Sequence, residues 1–543
     1  MSTTTNKSGS WANATTPLPS LYRVAVAGEG EYLDRLHLDL ENDVRPIIYK
    51  FLNDLCAERG YPAEKVMLLP PDYTRYHSRS GDITRFVHDF YHGSPALPPN
   101  HFPPSASSPP HISILPALGT HAPMTRPQIR SMFGDTIADA VEDESGNGSE
   151  KDTDLIVHDW RSDVITIGHV PSSLVSTATR GFVCDTSWPA QLNRHVWEGR
   201  HDLVLSIGQV VPHEVTGMAN YNKNIFVGIG GADAINLSHF IGAVAGMENL
   251  MGTAENPLRN ILQYASENFL GKLPLWYILT VMGAEAGGRE PTIRGVFIGN
   301  TAECYRKACE LSLRQNFKVI DEPLQNMVVY LDPDEYHSTW LGNKSIYRTR
   351  MAIKDGGSLI VIAPGVRKFG EDDLVDALIR KHGYRGTPQA LEDMKSDVVL
   401  RSNLGVVAHL IHGSSEGRFE VTYCPRPQLL SREEVNSVGF KWGDIEEMCT
   451  KYSISLPSAD GGGLPILPDD GQNISTDGTL FYFICNPAMG LWASRDRLEG
   501  QNMSKDRDSH DSSPLDDAVE ITPPQDAHDG SGGLGGWIHS PPL

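Results

Sequence analysis

Short apolar runs alternate with amphipathic stretches along most of the chain. Val66–Leu69, Ile112–Pro116, Leu155–Val157, Val164–Ile167 and Leu203–Ile207 are compact apolar segments with polar or turn-forming flanks, which predicts buried strands. Val44–Arg59 and Pro127–Phe133 follow a helical period, the second with Pro at its first position, where a missing N–H costs nothing. Gly295–Ile298, Met327–Tyr330 and Ser358–Ala363 read as further strands, with helices at Thr301–Asn316 and Asp372–Lys381. Strand–helix alternation of this kind predicts an α/β fold: two α/β domains with mainly parallel sheets flanking an interdomain cleft. The expected domains are residues 20–275 and 276–496.

Other segments break the pattern. Residues 1–19 are polar and Ser/Thr-rich, without the apolar centre of a signal peptide, and predict a disordered leader. Residues 497–543, rich in Asp, Ser, Gly and Pro, predict a disordered tail. Stretches near 94–110 and 142–154 read as surface insertions in the first domain. No apolar run approaches the roughly 18–20 residues needed to span a bilayer.

Composition narrows the partners. Of 543 residues, 40% are apolar and 21% charged, a globular balance. A formal charge of −22 argues against nucleic acid or an anionic membrane as partner. A small anionic substrate stays open, because a local basic pocket dominates at short range. The seven cysteines are scattered and form no C-x-x-C pair, as expected of reduced thiols in a cytoplasmic protein.

Candidate chemistry follows the predicted strands, where open α/β sheets bind ligands. After Val66–Leu69 comes Pro70-Pro71-Asp72-Tyr73-Thr74-Arg75, suited to an anion or a sugar hydroxyl, or else a salt-bridged turn. After Ile112–Pro116 comes Leu118-Gly119-Thr120-His121, whose imidazole suits a general base or a hydrogen-bonded cap. After Leu203–Ile207, His213, Lys223, the turn Gly228-Ile229-Gly230-Gly231 and His239 fall within 27 residues. Glycine amides before a helix suit a phosphate, although the full dinucleotide fingerprint is missing. The two histidines are not at i, i+4, so they form no helical zinc pair. Lastly, Trp340 and Lys344 precede Arg348 and Arg350, a cation cluster fit for a carboxylate or for a solvated helix face.

Together these segments resemble the nickel-dependent lactate racemase family over roughly residues 20–495. The family's catalytic His, cofactor-bearing Lys and metal-binding His match His213, Lys223 and His239 in spacing. Its Asp-x-Thr-Arg motif matches Asp72, Thr74 and Arg75, its Gly-x-His motif matches Gly119 and His121, and its later aromatic and Lys match Trp340 and Lys344. The resemblance implies two cofactor components, nickel and a nickel-pincer nucleotide (pyridinium-3,5-bisthiocarboxylate mononucleotide) attached through Lys223. It implies His239 as the metal ligand; carbon, two sulfurs and one nitrogen form a planar site, as Ni(II) prefers. It implies His121 and His213 as paired acid/base groups that exchange the hydroxyl proton of a 2-hydroxy acid while its α-hydrogen moves as hydride. Arg75, Lys344 and Trp340 would bind the substrate. Asp72 and Thr74 would contact the cofactor or orient Arg75, and Gly230 and Gly231 would approach its phosphate. The implied partners are a small 2-hydroxy acid and the proteins that make and deliver the cofactor.

Three motifs depart from the family. Ser-Gly-Gly-x-Lys is here Ala219-Asn220-Tyr221-Asn222-Lys223, His-Arg after Gly is His121-Ala122, and Tyr-Gln-x-x-Lys is Trp340-Leu341-Gly342-Asn343-Lys344. These positions leave the acid open between lactate and a longer sugar acid. Two rival functions remain: a mononuclear metal hydrolase on His121, His213 and His239, and a non-catalytic nucleotide- or metabolite-binding protein on the same fold.

Overall fold

The computed structural model describes residues 23–60, 62–93, 109–142, 152–284, 291–456 and 464–498. The expected leader, most of both expected insertions and nearly all of the expected tail lie outside these residues.

The first sheet contains β1 (Arg23–Val26), β2 (Lys65–Leu69), β3 (His111–Ile114), β4 (Thr153–Leu155), β5 (Leu203–Gln209), β6 (Leu275–Ala284) and β7 (Pro291–Gly299). Their spatial order is β1-β7-β6-β5-β2-β3-β4. The run from β6 to β4 is parallel throughout, and β7 and β1 add antiparallel pairs at one side. Both faces are covered, which is why the central strands read as nearly unbroken apolar runs. Successive residues of β2 serve opposite cores. Val66 and Leu68 pack with Phe51 and Phe86, from α1 (Arg45–Arg59) and α2 (Ser80–His92). Met67 and Leu69 join the core that holds Phe240, Ile261 and Cys304, from α3 (Ala232–Ala245), α4 (Pro257–Phe269) and α5 (Ala302–Asn316).

The second sheet contains β8 (Leu324–Tyr330), β9 (Ile353–Ala363), β10 (Glu420–Pro425), β11 (Lys441–Trp442), β12 (Gly471–Ile474) and β13 (Leu480–Ile484). Their order is β11-β10-β9-β8-β13-β12, parallel except for the β12–β13 pair. The fold is therefore two mainly parallel α/β domains, as the alternation predicts. Helix α6 (Lys344–Thr349) and helix α7 (Leu404–His412) belong to the second domain, and α7 packs on α3 of the first.

Three expectations need correction. The division at 275/276 falls too early, because β6 pairs with β5 from Leu275 opposite Val204 to Thr280 opposite Gln209. Helix α5 also packs on that sheet, so the first domain continues to about Asn316. The insertion near 142–154 ends sooner than expected, since Thr153 and Asp154 already pair with Ile112 and Ser113. Val164–Ile167 is a strand but not a buried one. The strand Val164–Val170 is half-exposed and pairs antiparallel with the buried strand Trp188–Asn193, outside the main sheet. Among the described residues, no helix is long and apolar enough to cross a membrane.

The strand order fixes the place of the site. From β2 the chain moves outward through β3 and β4, then returns to the other side of β2 with β5 and β6. The carboxyl ends of β3, β2 and β5 thus lie side by side where the winding reverses, the crevice at which such sheets bind ligands.

Candidate functional site

A cavity opens at that reversal, with about 1040 Å³ of empty space, its mouth included. The segment after β2 contributes Asp72, Thr74 and Arg75; that after β3 contributes Thr120 and His121; that after β5 contributes His213 and Lys223. His239 reaches it from α3, and Trp340, Lys344 and Tyr347 reach it from the second domain. Nine of the eleven candidate residues therefore meet on one cavity. Gly230 and Gly231 do not line it. A Cβ on Gly230 would meet the carbonyl oxygen of Phe226 at 1.9 Å, and one on Gly231 would meet the Gln191 side chain at 2.4 Å. Those glycines serve close packing at the start of α3. Gly228 lines the cavity instead, and its carbonyl accepts from the Gly119 amide at 2.8 Å.

Asp72 does not turn toward Arg75. Its carboxylate accepts from His121 Nδ1 at 2.6 Å and from the Thr74 hydroxyl at 2.6 Å. Burial alone would raise the Asp72 pKa, but the His121 ring, Thr74 and Arg75 hold it below the ordinary carboxylate value. With its Nδ1 proton engaged, His121 keeps Nε2 as a free lone pair. His213 is set up differently. The Val215 amide donates to its Nδ1 at 3.1 Å, so the neutral ring carries its proton on Nε2. Burial, with Lys223, Arg75 and Arg348 nearby, pushes its pKa well below the ordinary value and keeps it neutral.

Lys223 and His239 share the cavity wall. Burial, then the Arg75 charge, brings the Lys223 pKa down to about 8. About a tenth of this amine is therefore unprotonated at pH 7, against well under a hundredth for an ordinary lysine, and the neutral form is the one nucleophilic use requires. His239 Nδ1 donates to the Ile235 carbonyl at 2.7 Å, which leaves Nε2 bare. A backbone carbonyl behind the ring is the usual support of a metal-bound histidine. Among the described residues, no three His, Cys, Asp or Glu side chains stand where they could hold a metal together. A metal on His239 would need its other donors from a bound molecule.

No family model matches the chain. Lactate racemase from Thermoanaerobacterium thermosaccharolyticum is 26% identical over 260 residues, 47% of this chain and 52% of that enzyme. The matched region thus spans about half the length of the curated relative. A solved structure from Thermotoga maritima aligns with a TM-score of 0.64 and 22% identity, covering 85% of this chain and 100% of that one. The lactate racemase apoprotein of Thermoanaerobacterium thermosaccharolyticum aligns with a TM-score of 0.55 and 15% identity, covering 82% and 92%. These solved structures establish the shared two-domain α/β fold.

The structure accounts for one motif departure. Where the racemase pattern has Gly-Gly before the lysine, Asn220 and Tyr221 both adopt left-handed backbone, at φ of 63° and 59°. Tyr221 there costs about 1–3 kcal/mol, and Asn220, which tolerates this conformation better, costs less. Local contacts offset this. The Asn220 side chain accepts from the Tyr221 amide at 2.6 Å, and the Tyr221 ring lies against Tyr277 and Tyr305, with centroids 4.6 and 4.9 Å away. Buried Arg259 of α4 then clamps the loop. Its guanidinium donates to the carbonyls of Thr216, Met218 and Asn220 and to the Asn222 side chain. Arg259 carries no motif in the sequence; it acts on residues 37–43 positions earlier.

Other contributors also escaped sequence reasoning. His409 of α7 stacks under Trp340 at 4.3 Å and bonds the hydroxyls of Tyr347 and Tyr384 at 2.8 Å each, which fixes the indole at the cavity wall. Arg348 is fully buried, with Glu214 as its nearest carboxylate at 3.9 Å. A signal for Glu214 existed, its position directly after His213, and Arg348 stood in the noted cation cluster.

Two outcomes test this geometry. Arg259→Met should lower the unfolding free energy by about 2–4 kcal/mol, because several loop carbonyls lose their partner; urea denaturation measures it. The Lys223 shift sets a pH window. Between about pH 8 and the ordinary value of 10.5, the unfolded chain keeps a proton that the folded chain gives up, so stability rises with pH. Across that window wild type should gain about 2 kcal/mol relative to Lys223→Met in denaturation at stepped pH. An unchanged difference would mean an ordinary amine.

Proposed function

We propose that the protein is a racemase or epimerase of 2-hydroxy acids that works with a nickel-pincer nucleotide attached through Lys223. One observation carries this: a low-pKa lysine and an imidazole with a bare Nε2 face the same cavity as two further histidines and two cations. The partial likeness to lactate racemase supports it. The chain's residues suit the group: Lys223 would carry the nucleotide by an amide-type bond, and His239 would ligate nickel through Nε2. When bound, the group supplies an acceptor for the substrate's α-hydrogen as hydride and returns it to either face.

The remaining steps belong to the chain. Arg75 and Lys344 bind the carboxylate, one from each domain. Arg75 Nη1 is buried without a hydrogen-bond partner among the described residues, and burial together with the Arg75 charge lowers the Lys344 pKa, so an anion between them relieves both. His121 takes the hydroxyl proton on Nε2, and Asp72 stabilises the imidazolium that forms. On the opposite face, His213 lends its Nε2 proton as a hydrogen bond to the same oxygen. A full proton transfer there requires its ring to give up the Val215 amide. Trp340 closes the wall beside the reacting carbon, and Thr74 holds Asp72 in place. The hydrolase rival lacks a protein donor set among the described residues and gives Lys223 no task. A pure binding protein would not need the Asp72–His121 pair. Cofactor-making and delivery proteins are the implied partners, and a cytoplasmic setting fits the scattered cysteines, which form no C-x-x-C pair.

Intact-mass measurement after exposure to the cofactor-making proteins should find an adduct on Lys223, absent from Lys223→Ala, with nickel bound alongside. An unmodified lysine with zinc and hydrolytic turnover would sink the proposal. Asp72→Asn should lower turnover of the loaded protein by roughly 10²–10⁴, through loss of the His121 tautomer, while the adduct mass stays. His121→Ala and His213→Ala should each abolish inversion and also keep the adduct; full activity in either would remove its acid/base role.

A further inference from the structure

The cavity holds two polar groups that a lactate-sized acid would leave idle. Gln209, at the end of β5, is only 4% exposed. Its Oε1 accepts from His77 Nε2 at 3.0 Å, and its Nε2 amide has no hydrogen-bond partner among the described residues. Glu214 follows His213, with Oε1 at 3.9 Å from the imidazole Nε2 and Oε2 without a hydrogen-bond partner among the described residues. Both residues line the cavity with His213 and Lys344.

The charge state of Glu214 is fixed from behind. Arg348 is fully buried, its three guanidinium nitrogens form no hydrogen bond among the described residues, and its Nη2 stands 3.9 Å from Glu214 Oε2. A buried guanidinium facing a carboxyl keeps that carboxyl ionised. Burial works against the charge, but His213, Arg348 and Lys344 hold the Glu214 pKa well below its ordinary value. With His213 neutral, Arg348 and Lys344 are the lasting partners.

An ionised carboxylate only accepts hydrogen bonds. A ligand group beside Glu214 must therefore donate. A methyl group cannot do so, and a second carboxylate would be repelled. The distance from His213 Nε2 to Glu214 is too long for a direct bond but suits neighbouring ligand oxygens, one at each side chain. The amide of Gln209 offers a donor to an oxygen further along.

We propose that the substrate is a 2,3-dihydroxy acid of the aldonic class, its 2-hydroxyl at His213, its next hydroxyl donating to Glu214, and a more distant oxygen accepting from Gln209. This rests on the proposed 2-hydroxy acid function and narrows it. Lactate would leave buried polar groups unpaired, which a pocket built for hydroxyls discriminates against strongly.

Calorimetry on the purified full chain, with lactate, glycerate, a six-carbon aldonate and malate as probes, tests the assignment. Glycerate and the aldonate should bind at least about tenfold tighter than lactate, with malate weakest. Glu214→Gln alone would strand the Arg348 charge and endanger folding, so the informative variant is Glu214→Gln with Arg348→Met, checked by thermal melting. In it the preference over lactate should shrink to about threefold or less. Gln209→Met, which changes no charge, should weaken the aldonate more than glycerate. Lactate binding as tightly as glycerate, or a preference that survives both variants, overturns the assignment. The Lys223 adduct is read separately by mass. A polyol preference without the adduct would defeat the proposed reaction and spare this pocket assignment, whereas an adduct with indifferent binding would do the reverse.

Discussion

The contact on which the site depends is the grip of Arg259 on the loop between His213 and Lys223. That loop must turn sharply through two successive non-glycine residues in left-handed backbone, Asn220 and the bulky Tyr221. A loop of this kind relaxes unless its surroundings over-determine it. Arg259 supplies four anchor points, and its guanidinium lies 4.6 Å from the centre of the Tyr305 ring, which in turn stacks on Tyr221. One buried cation thus fixes the backbone and the aromatic packing together. The imidazole at the head of the loop and the amine at its end inherit their positions from that grip.

Electrostatics inside the cavity run opposite to the chain as a whole. The sequence carries a net charge of −22, yet Arg75, Lys223 and Lys344 line a single crevice, with Arg348 buried behind Glu214. Exposed surface charges are screened within about 10 Å at ordinary ionic strength, whereas enclosed ones are not. The enclosed cations therefore set the local field. Burial and mutual repulsion bring Lys223 down to about 8 and Arg348 down to about 10, and they keep His213 neutral. An anion brought between Arg75 and Lys344 meets two cations, while Asp72 and Glu214 supply the cavity's own negative charge. The same cations that bind it tune the lysine and the histidine.

Much of this was legible in the sequence, and for identifiable reasons. Buried parallel strands such as Val66–Leu69 and Leu203–Ile207 must be apolar on both faces, so they stand out as runs. The segments that follow them carry the polar residues, because the sheet geometry leaves only the strand ends open to ligand. The motif residues after β2, β3 and β5 therefore converge, as their order along the chain suggests. The misses have physical causes. Leu275–Met282 is as apolar as any strand, and nothing local tells which sheet it will join. Gly230 and Gly231 look like a phosphate turn, but the same glycines satisfy a close backbone approach to Phe226 and Gln191. Arg259 and His409 act through the fold on distant residues, at separations that no local pattern encodes.

The two domains contribute unequally, and their contact explains why. The first supplies Asp72, Arg75, His121, His213, Lys223 and His239; the second supplies Lys344, with Trp340 and Tyr347 as wall. A cavity shared in this way keeps its shape only if the domains hold their spacing. Glu248 of the first domain accepts from Arg350 at 2.8 Å and from Arg418 at 2.9 Å, both from the second. Arg350 also reaches the Ser414 carbonyl at 3.2 Å, so little of this cross-link is left to solvent. A partly buried carboxylate shared between two guanidinium groups is far stiffer than the exposed Arg161–Asp372 pair, 3.4 Å apart, which also joins the two domains. Helix α3 carries His239 and packs against α7, whose His409 supports Trp340. The interface that spaces the domains therefore also sets the distance from the imidazole of His239 to the indole that faces it, and the site is as rigid as that packing.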